Sequence, residues 1–254
     1  MNNLSNDHLL KNRHQQLLSL VANSFYKELI NYGIHSRDVV TVALNLLDQL
    51  TSTSKNKIEE APNYIKEFQI GDVADQWEVK HRLQLDSVCL SPLSTQHIQP
   101  MVQWLQSDSI QKTFIDFLPK EKKLLSRYLF HSSDRKYFAV LYQDQFVGVM
   151  GAEHIDQVHK KLEMKKLIGA SEFRGKGIGK RASFLFLYFA FMILNFNKVY
   201  IQTMDTNIRN INLNHKLGFE LEGVFFQEVQ KDGQFFDVVR MSLLKENWVK
   251  IYGR

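Results

Sequence analysis

The stretch Ser171-Glu172-Phe173-Arg174-Gly175-Lys176-Gly177-Ile178-Gly179-Lys180 decides the fold of this chain. Its three glycines stand between a strand-like run and a long apolar segment. Without side chains, the backbone can curl until successive N–H groups converge on an anion. The apolar segment predicts a helix, whose N-terminus adds partial positive charge, and Arg174, Lys176 and Lys180 add formal charge. The stretch therefore predicts a diphosphate-binding loop.

Three phosphate-binding motifs compete for this loop. A P-loop needs G-x-x-x-x-G-K-[ST], but Arg174 stands at its first glycine and Arg181 at its hydroxyl position. A dinucleotide-binding loop needs G-x-G-x-x-G, and here the third glycine falls one position short. The pattern R-x-x-G-x-G is met by Arg174, Gly177 and Gly179. The loop fits this last motif.

Hydrophobic periodicity on both sides of the loop predicts an α+β fold. Antiparallel hairpins combine with one β-α-β crossover, which is typical of a mixed sheet with flanking helices and not of a doubly wound sheet. The predicted strands are Leu83–Leu90, Tyr137–Tyr142, Phe146–Glu153, His159–Ile168, Lys198–Thr203, Phe219–Val229 and Phe235–Leu244. The predicted helices contain residues 98–105 and 124–129, run from the loop to about Leu194, and span Asn207–Leu217.

The first third of the chain predicts a small helical region. Apolar residues recur at helical spacing between Leu18 and Leu29, and again between Val39 and Leu50. A polar loop follows at residues 51–57, and predicted strands appear only beyond about residue 80. We expect residues 1–80 to form a helical N-terminal region of unknown role, and residues 81–254 to form the main domain.

Composition narrows the class of protein. A formal charge of +5 suits a phosphorylated ligand, and because Lys and Arg are spread along the chain, nucleic-acid binding is not expected. The lone Cys89 predicts neither a disulfide framework nor a metal cluster, so no metal is expected. The longest apolar run, Ala182–Leu194, is shorter than the roughly 20 residues that span a bilayer, and the polar N-terminus lacks a signal peptide. We expect a cytoplasmic protein without membrane contact.

Three features in order resemble the GNAT N-acetyltransferase superfamily, between about Leu83 and Trp248. They are Phe173-Arg174-Gly175-Lys176-Gly177-Ile178-Gly179; Asn207-Ile208-Arg209-Asn210 leading to Lys216-Leu217-Gly218-Phe219; and Glu222-Gly223-Val224 with the Lys231-Asp232-Gly233 turn and the strand to Met241. The closing pattern is similar to the branch that acetylates ribosomal-protein N-termini, polyamines and nucleotide-linked amino sugars.

The resemblance implies a GNAT-like sheet and acetyl-CoA as co-substrate. Two neighbouring strands would separate just before the glycine loop, and the pantetheine arm would enter that gap. Asn207 is either a cofactor contact or simply the N-cap of its helix. The implied cofactor-binding residues are Leu167, Ile168, Gly169, Arg174, Gly175, Lys176, Gly177, Ile178, Gly179, Lys180 and Asn207.

The resemblance also implies direct attack of an amine on the thioester. A base must first deprotonate the ammonium, and Glu153 and Glu163 are equal candidates because strand register cannot be fixed from sequence. The sequence departs from the family at Asn214, where many relatives carry a tyrosine that acts as an acid. Either His215 or another tyrosine replaces it, or the thiolate leaves unassisted.

The acetyl acceptor stays open at this stage. A small primary amine such as a nucleotide-linked amino sugar is favoured by the closing hairpin and the basic charge. Acetylation of a protein N-terminus or lysine is the alternative, and Asn214 also leaves room for a non-catalytic acyl-CoA-binding module. The exposed members of the aromatic pairs in the last hairpin could line the acceptor pocket or a homodimer surface.

Overall fold

The computed structural model describes residues 3–31, 35, 38–39, 64–107, 110 and 118–253. In this part of the chain, eight strands form one sheet in the order β1-β2-β3-β4-β5-β6-β8-β7, flanked by helices. The predicted α+β architecture is confirmed.

The elements have the following bounds. The strands are β1 (Leu83–Leu85), β2 (Val88–Pro92), β3 (Lys136–Tyr142), β4 (Gln145–Asp156), β5 (Lys161–Ile168), β6 (Lys198–Met204), β7 (Glu220–Lys231) and β8 (Gln234–Leu244). The α-helices are α1 (Asn3–Asn31), α2 (Gln76–Lys80), α3 (Ile98–Leu105), α4 (Lys122–Phe130), α5 (Ile178–Tyr188), α6 (Ile208–Lys216) and α7 (Lys245–Tyr252).

Neighbouring strands run antiparallel except β5 and β6, which are parallel. The parallel pairing runs only from Lys161 opposite Lys198 to Glu163 opposite Tyr200. Beyond that rung β5 continues to Ile168 and β6 to Met204 without pairing to each other. The sheet is therefore split between β5 and β6, immediately before the glycine loop.

Side chains on the two faces of the sheet form two apolar cores. On one face, α5 packs on residues such as Phe138, Met150 and Met164, and we call this the α5 face. On the other face, α3 and α4 pack on Tyr137, Val149 and Leu167, and we call this the α3–α4 face. The split thus has helices on both sides.

Two strand predictions need correction. Leu83–Leu90 is not one strand but the hairpin β1–β2, because Asp86 takes a left-handed φ of 52° that turns the chain. The third strand of the meander begins at Lys161 and not at His159, because the turn before it ends at Lys160 with a φ of 51°.

Two helix predictions also need correction. The helix predicted to reach Leu194 is α-helical only to Tyr188 and continues as a π-helical turn over Phe189–Ile193. Helix α7 was not predicted, although Trp248 and Tyr252 lie four residues apart and are both buried against Phe184. A short C-terminal helix gives little periodic signal.

The N-terminal region is described in part. Helix α1 confirms the first predicted helix, while the second, Val39–Leu50, and the loop at 51–57 fall almost wholly outside the described residues. The Ser24 hydroxyl in α1 donates to the Asp205 carbonyl at 2.8 Å, just after β6. Phe68 lies 5.0 Å from the Phe184 ring in the main core. The boundary near residue 80 stays a prediction.

None of the described helices combines the length and the apolarity needed to span a membrane.

Candidate active site

The glycine loop lies at the N-terminus of α5. Gly175 has a φ of 85° and Gly177, the N-cap of α5, a φ of 75°, and both values favour glycine. The first N–H groups of α5 have no acceptor within the helix and point out of its N-terminus. Gly179 is helical, with ordinary contacts around the position of a Cβ. The loop therefore presents main-chain donors, as an anion-binding turn requires.

The charged side chains at the loop each contact a different kind of partner. The Arg174 guanidinium donates to the carbonyls of Ile168 and Gly169 at 3.3 and 3.4 Å, so it braces the end of β5. The Lys176 ammonium lies 4.7 Å from the Phe173 ring centre. Lys180 forms an ion pair with Glu67.

Arg209 is a further basic residue at the loop, to which the motif Asn207-Ile208-Arg209-Asn210 alone assigns no role. One of its terminal nitrogens lies 3.8 Å from the position of a Cβ on Gly175, so this α6 side chain reaches the loop across the split. Its place as the second residue of α6, next to Asn207, is the only signal that could have indicated it.

The end of β5 carries the residues predicted to contact the pantetheine arm. Leu167 pairs with Val149 on β4, and the Gly169 N–H donates to the Val147 carbonyl at 3.0 Å. Because β6 does not pair here, the opposite edge of β5 faces the split. A Cβ on Gly169 would lie 1.9 Å from the Trp104 ring, so only glycine fits under α3.

Glu153 and Glu163 lie directly opposite each other on β4 and β5. Opposite residues of an antiparallel pair share a face, and here it is the α3–α4 face, where Tyr137 contacts Glu153. Glu163 belongs to the last rung before the split. The structure therefore brings both predicted base candidates together, with Glu163 bordering the split.

The Glu163 carboxylate is almost fully buried, at 1% exposure, and both its oxygens have partners. Oε1 accepts from the Lys165 ammonium at 2.5 Å, and Oε2 lies 2.9 Å from His154 Nδ1. The His154 side chain is 65% exposed. His154 thus connects a buried carboxylate to solvent.

A β-bulge gives His154 this orientation. In a regular strand His154 would point to the face opposite Glu153. The β4–β5 register shifts after Glu153, and His154 takes a left-handed φ of 49°. This extra residue lets its ring meet Glu163, as bulges commonly re-aim a side chain.

Glu153 is held by two tyrosines. The Tyr128 hydroxyl donates to Oε1 at 2.5 Å, and the Tyr137 hydroxyl donates to the same oxygen. Burial, together with the nearby Glu153 carboxylate, raises the pKa of both phenols, so they stay protonated donors. Oε2 of Glu153 makes no hydrogen bond within the described part of the chain.

Helix α6 carries the remaining predicted residues. The Asn207 side chain caps the helix by accepting from the Asn210 N–H at 3.3 Å. Asn214 is buried, and its amide donates to the Asn210 carbonyl at 2.7 Å. His215 is exposed, and no hydrogen bond or ion pair of the described residues joins it to Glu153 or Glu163. The structure does not bring His215 into the carboxylate cluster.

Lys166 lies on the α5 face of β5 and was not singled out from the sequence. Its ammonium donates to the Ser183 hydroxyl of α5 at 3.2 Å, and burial lowers its pKa to about 8. As for metals, the described ranges contain no cluster of three or more His, Cys, Asp or Glu side chains that could hold an ion.

Comparison with known proteins agrees with this geometry. The family model described as an acetyltransferase (GNAT) domain matches residues 87–220. A spermidine N(1)-acetyltransferase of Escherichia coli (strain K12) is 27% identical over 168 residues, which cover 64% of this chain and 89% of that protein. The solved spermidine N-acetyltransferase from Vibrio cholerae in complex with CoA and spermine matches with a TM-score of 0.59 and 22% identity, covering 65% of this chain and 99% of that one.

The split sheet and the glycine loop at a helix N-terminus define an acyl-CoA-dependent transferase fold. The chain belongs to the GNAT acetyltransferase family, as the matching domain covers more than half of it. It is an N-acetyltransferase with acetyl-CoA as co-substrate. The residues fit this co-substrate, because Gly175 and Gly177 take the left-handed backbone of an anion-binding turn and β5 leaves an unpaired edge in the split.

Proposed function

We propose that this protein acetylates the primary amine of a small molecule on the α3–α4 face of the split. The end of strand pairing at Glu163 and Tyr200, just before the glycine loop, carries the proposal. It leaves an edge of β5 for the pantetheine arm while the loop holds the diphosphate. Acetyl-CoA supplies the acetyl group as a thioester. The named relative from Escherichia coli, a spermidine N(1)-acetyltransferase, supports a small amine as acceptor.

The cofactor is held mainly by main-chain groups in this proposal. The N–H groups from Gly175 to Lys180 bind the diphosphate, and Arg209 adds charge from α6. The unpaired edge of β5 at Leu167, Ile168 and Gly169 binds the pantetheine arm as a further strand would. Arg174 acts by bracing that strand end, and Asn207 by capping α6.

Glu163 receives the proton of the acceptor ammonium. It borders the split, whereas Glu153 lies one strand further away. His154 passes the proton from Glu163 Oε2 to solvent, since its ring touches this oxygen and is mostly exposed. Glu153, whose Oε1 is held by two tyrosines, positions the acceptor through its other oxygen.

The departing thiolate has no acid on α6. The Asn214 amide is used within its own helix, and His215 is exposed and unconnected to the carboxylates. A thiol of ordinary pKa near 8.5 leaves as thiolate at neutral pH without a strong acid. The missing tyrosine therefore does not prevent turnover.

Matched glutamate variants test this assignment. Glu163→Gln should lower kcat on a responsive amine by about a hundredfold or more, as loss of a general base does, with the KM for acetyl-CoA unchanged. Raising the pH should restore part of the rate, because the free amine then needs no base. Glu153→Gln should mainly raise the acceptor KM, and the exposed Glu228→Gln is the control. A Glu163→Gln enzyme within a few-fold of the parent kcat at pH 7 would contradict the proposal.

A further inference from the structure

A second charged group lies across the split from Glu163 on the same face of the sheet. Tyr200 is opposite both Glu163 and Ser242, so Ser242 and, two residues earlier, Arg240 share the α3–α4 face. Arg240 lies on β8 between Gln202 of β6 and Gly223 of β7. At the level of Glu163, Tyr200 and Ser242, two strand spacings of about 4.8 Å, or roughly 10 Å, separate the main chains of β5 and β8, and Arg240 lies two residues from Ser242 along β8.

The Arg240 guanidinium is held by aromatic rings and not by a carboxylate. Its Cζ atom lies 4.6 Å from the Tyr200 ring centre and 5.0 Å from the Phe225 ring centre. Nε is buried without a hydrogen-bond partner. Among the described residues, no carboxylate forms an ion pair with this side chain. Stacking fixes the plane of the guanidinium but leaves its N–H donors without an acceptor.

The face of β7 beside Arg240 is open at the level of its main chain. A Cβ added to Gly223, the direct partner of Arg240 on β7, would meet no heavy atom within 4 Å. A planar donor group that is held in place by two rings and has no carboxylate partner among the described residues suits a carboxylate or phosphate, which guanidinium binds through two parallel hydrogen bonds.

We propose that Arg240 binds an anionic group of the acetyl acceptor, so that the acceptor is an amine that also carries a carboxylate or a phosphate. The inference rests on the proposed function, since the amine of the same acceptor lies at Glu163. A polyamine has only cationic groups and offers the Arg240 guanidinium no anion to bind.

Matched pairs of amines test the acceptor chemistry. The full-length protein is given acetyl-CoA with glucosamine 6-phosphate or glucosamine, with glycylglycine or glycylglycinamide, and with spermidine, and free thiol is followed. At least one anionic amine should have a kcat/KM tenfold or more above that of its neutral partner. A difference in the glucosamine pair indicates a phosphate, and a difference in the glycylglycine pair indicates a carboxylate. A neutral partner or spermidine that equals or exceeds every anionic amine would overturn the proposal.

Variants of Arg240 then test the residue itself. Arg240→Met should raise the KM for the preferred anionic amine tenfold or more, while the KM values for its neutral partner and for acetyl-CoA change less than about twofold. Arg240→Lys keeps a positive charge, so its KM for the anionic amine should rise less than that of Arg240→Met. Urea unfolding of both variants checks that neither change disrupts the fold. An unchanged KM for the anionic amine in Arg240→Met would refute the assignment.

Failure of the proposed function gives a different result. If no amine releases thiol, the transferase proposal fails, and calorimetry of glucosamine 6-phosphate and of glycylglycine against the CoA-bound protein decides on Arg240. Binding of either compound that Arg240→Met abolishes would support the anion site. Absence of binding by both would overturn it.

Discussion

Asn214 fills the α6 position where the family resemblance places a tyrosine, and it is buried with its amide bonded to Asn210. Because its amide nitrogen donates within its own helix, Asn214→Ala should change kcat by less than about tenfold, or about 1.4 kcal/mol. Steady-state turnover tests this, with the exposed Asn212→Ala on the same helix as control. A much larger loss in Asn214→Ala, at equal folding stability, would mean that Asn214 acts in catalysis.

Lys166 makes folding stability depend on pH. Burial lowers its pKa from 10.5 to about 8, so the unfolded state binds more protons between these values and stability rises with pH across this window. Below pH 8 the penalty is full, up to roughly 3–4 kcal/mol at about 1.4 kcal/mol per pKa unit. Lys166→Met should therefore be more stable than the parent at pH 7.

Urea unfolding at several pH values measures this effect. The stability advantage of Lys166→Met should shrink as the pH rises from about 8 toward 10.5. The exposed Lys161→Met, on the same strand, should show a difference that does not vary with pH. An advantage of Lys166→Met that stays constant over this range would contradict a buried ammonium.

At the scale of elements, α3 packs directly on the end of β5. A Cβ on Gly169 would lie 1.9 Å from the Trp104 ring, so Gly169→Ala forces the helix and the strand apart. We expect a loss of about 1–3 kcal/mol in the free energy of unfolding, as overpacking costs. Gly71→Ala, where a Cβ meets nothing within 4 Å, is the control. In a Trp104→Leu background, where the side chain is smaller, Gly169→Ala should lower the free energy of unfolding by less than it does in the parent. An equal loss in both backgrounds would count against this contact.

The elements of the sheet could be predicted from the sequence, but the bulge in β4 could not. The meander, the crossover helix and the last hairpin follow from periodicity and turn residues, and the structure confirms them. The left-handed φ of His154 does not follow, because it depends on how β4 fits β5 and not on local sequence. For this reason Glu153 and Glu163 could be named from the sequence, whereas the contact of His154 with Glu163 could not.

At the scale of the whole molecule, contacts between residues far apart in the chain could not be predicted from the sequence. The glycine loop was readable because its three glycines and following helix are contiguous. Arg240, by contrast, meets Tyr200 and Phe225 through three different strands, and Arg209 reaches Gly175 from another helix. Phe68 and Val73 join the main core from before residue 80, a packing that no local pattern indicated.

The assembly of the chain also belongs to this scale. Phe226 and Phe235 are exposed on the last hairpin at 80% and 58%. A homodimer of this chain stays a prediction.

Calorimetric titration of acetyl-CoA into Gly177→Glu tests most directly whether the loop holds the cofactor. Gly233→Glu is the matched control, because Gly233 has a φ of 78° in the β7–β8 turn and so carries the same charge change and a similar backbone strain. The account predicts that Gly177→Glu weakens binding at least a hundredfold while Gly233→Glu binds like the parent. Equal affinity of Gly177→Glu and the parent would contradict it.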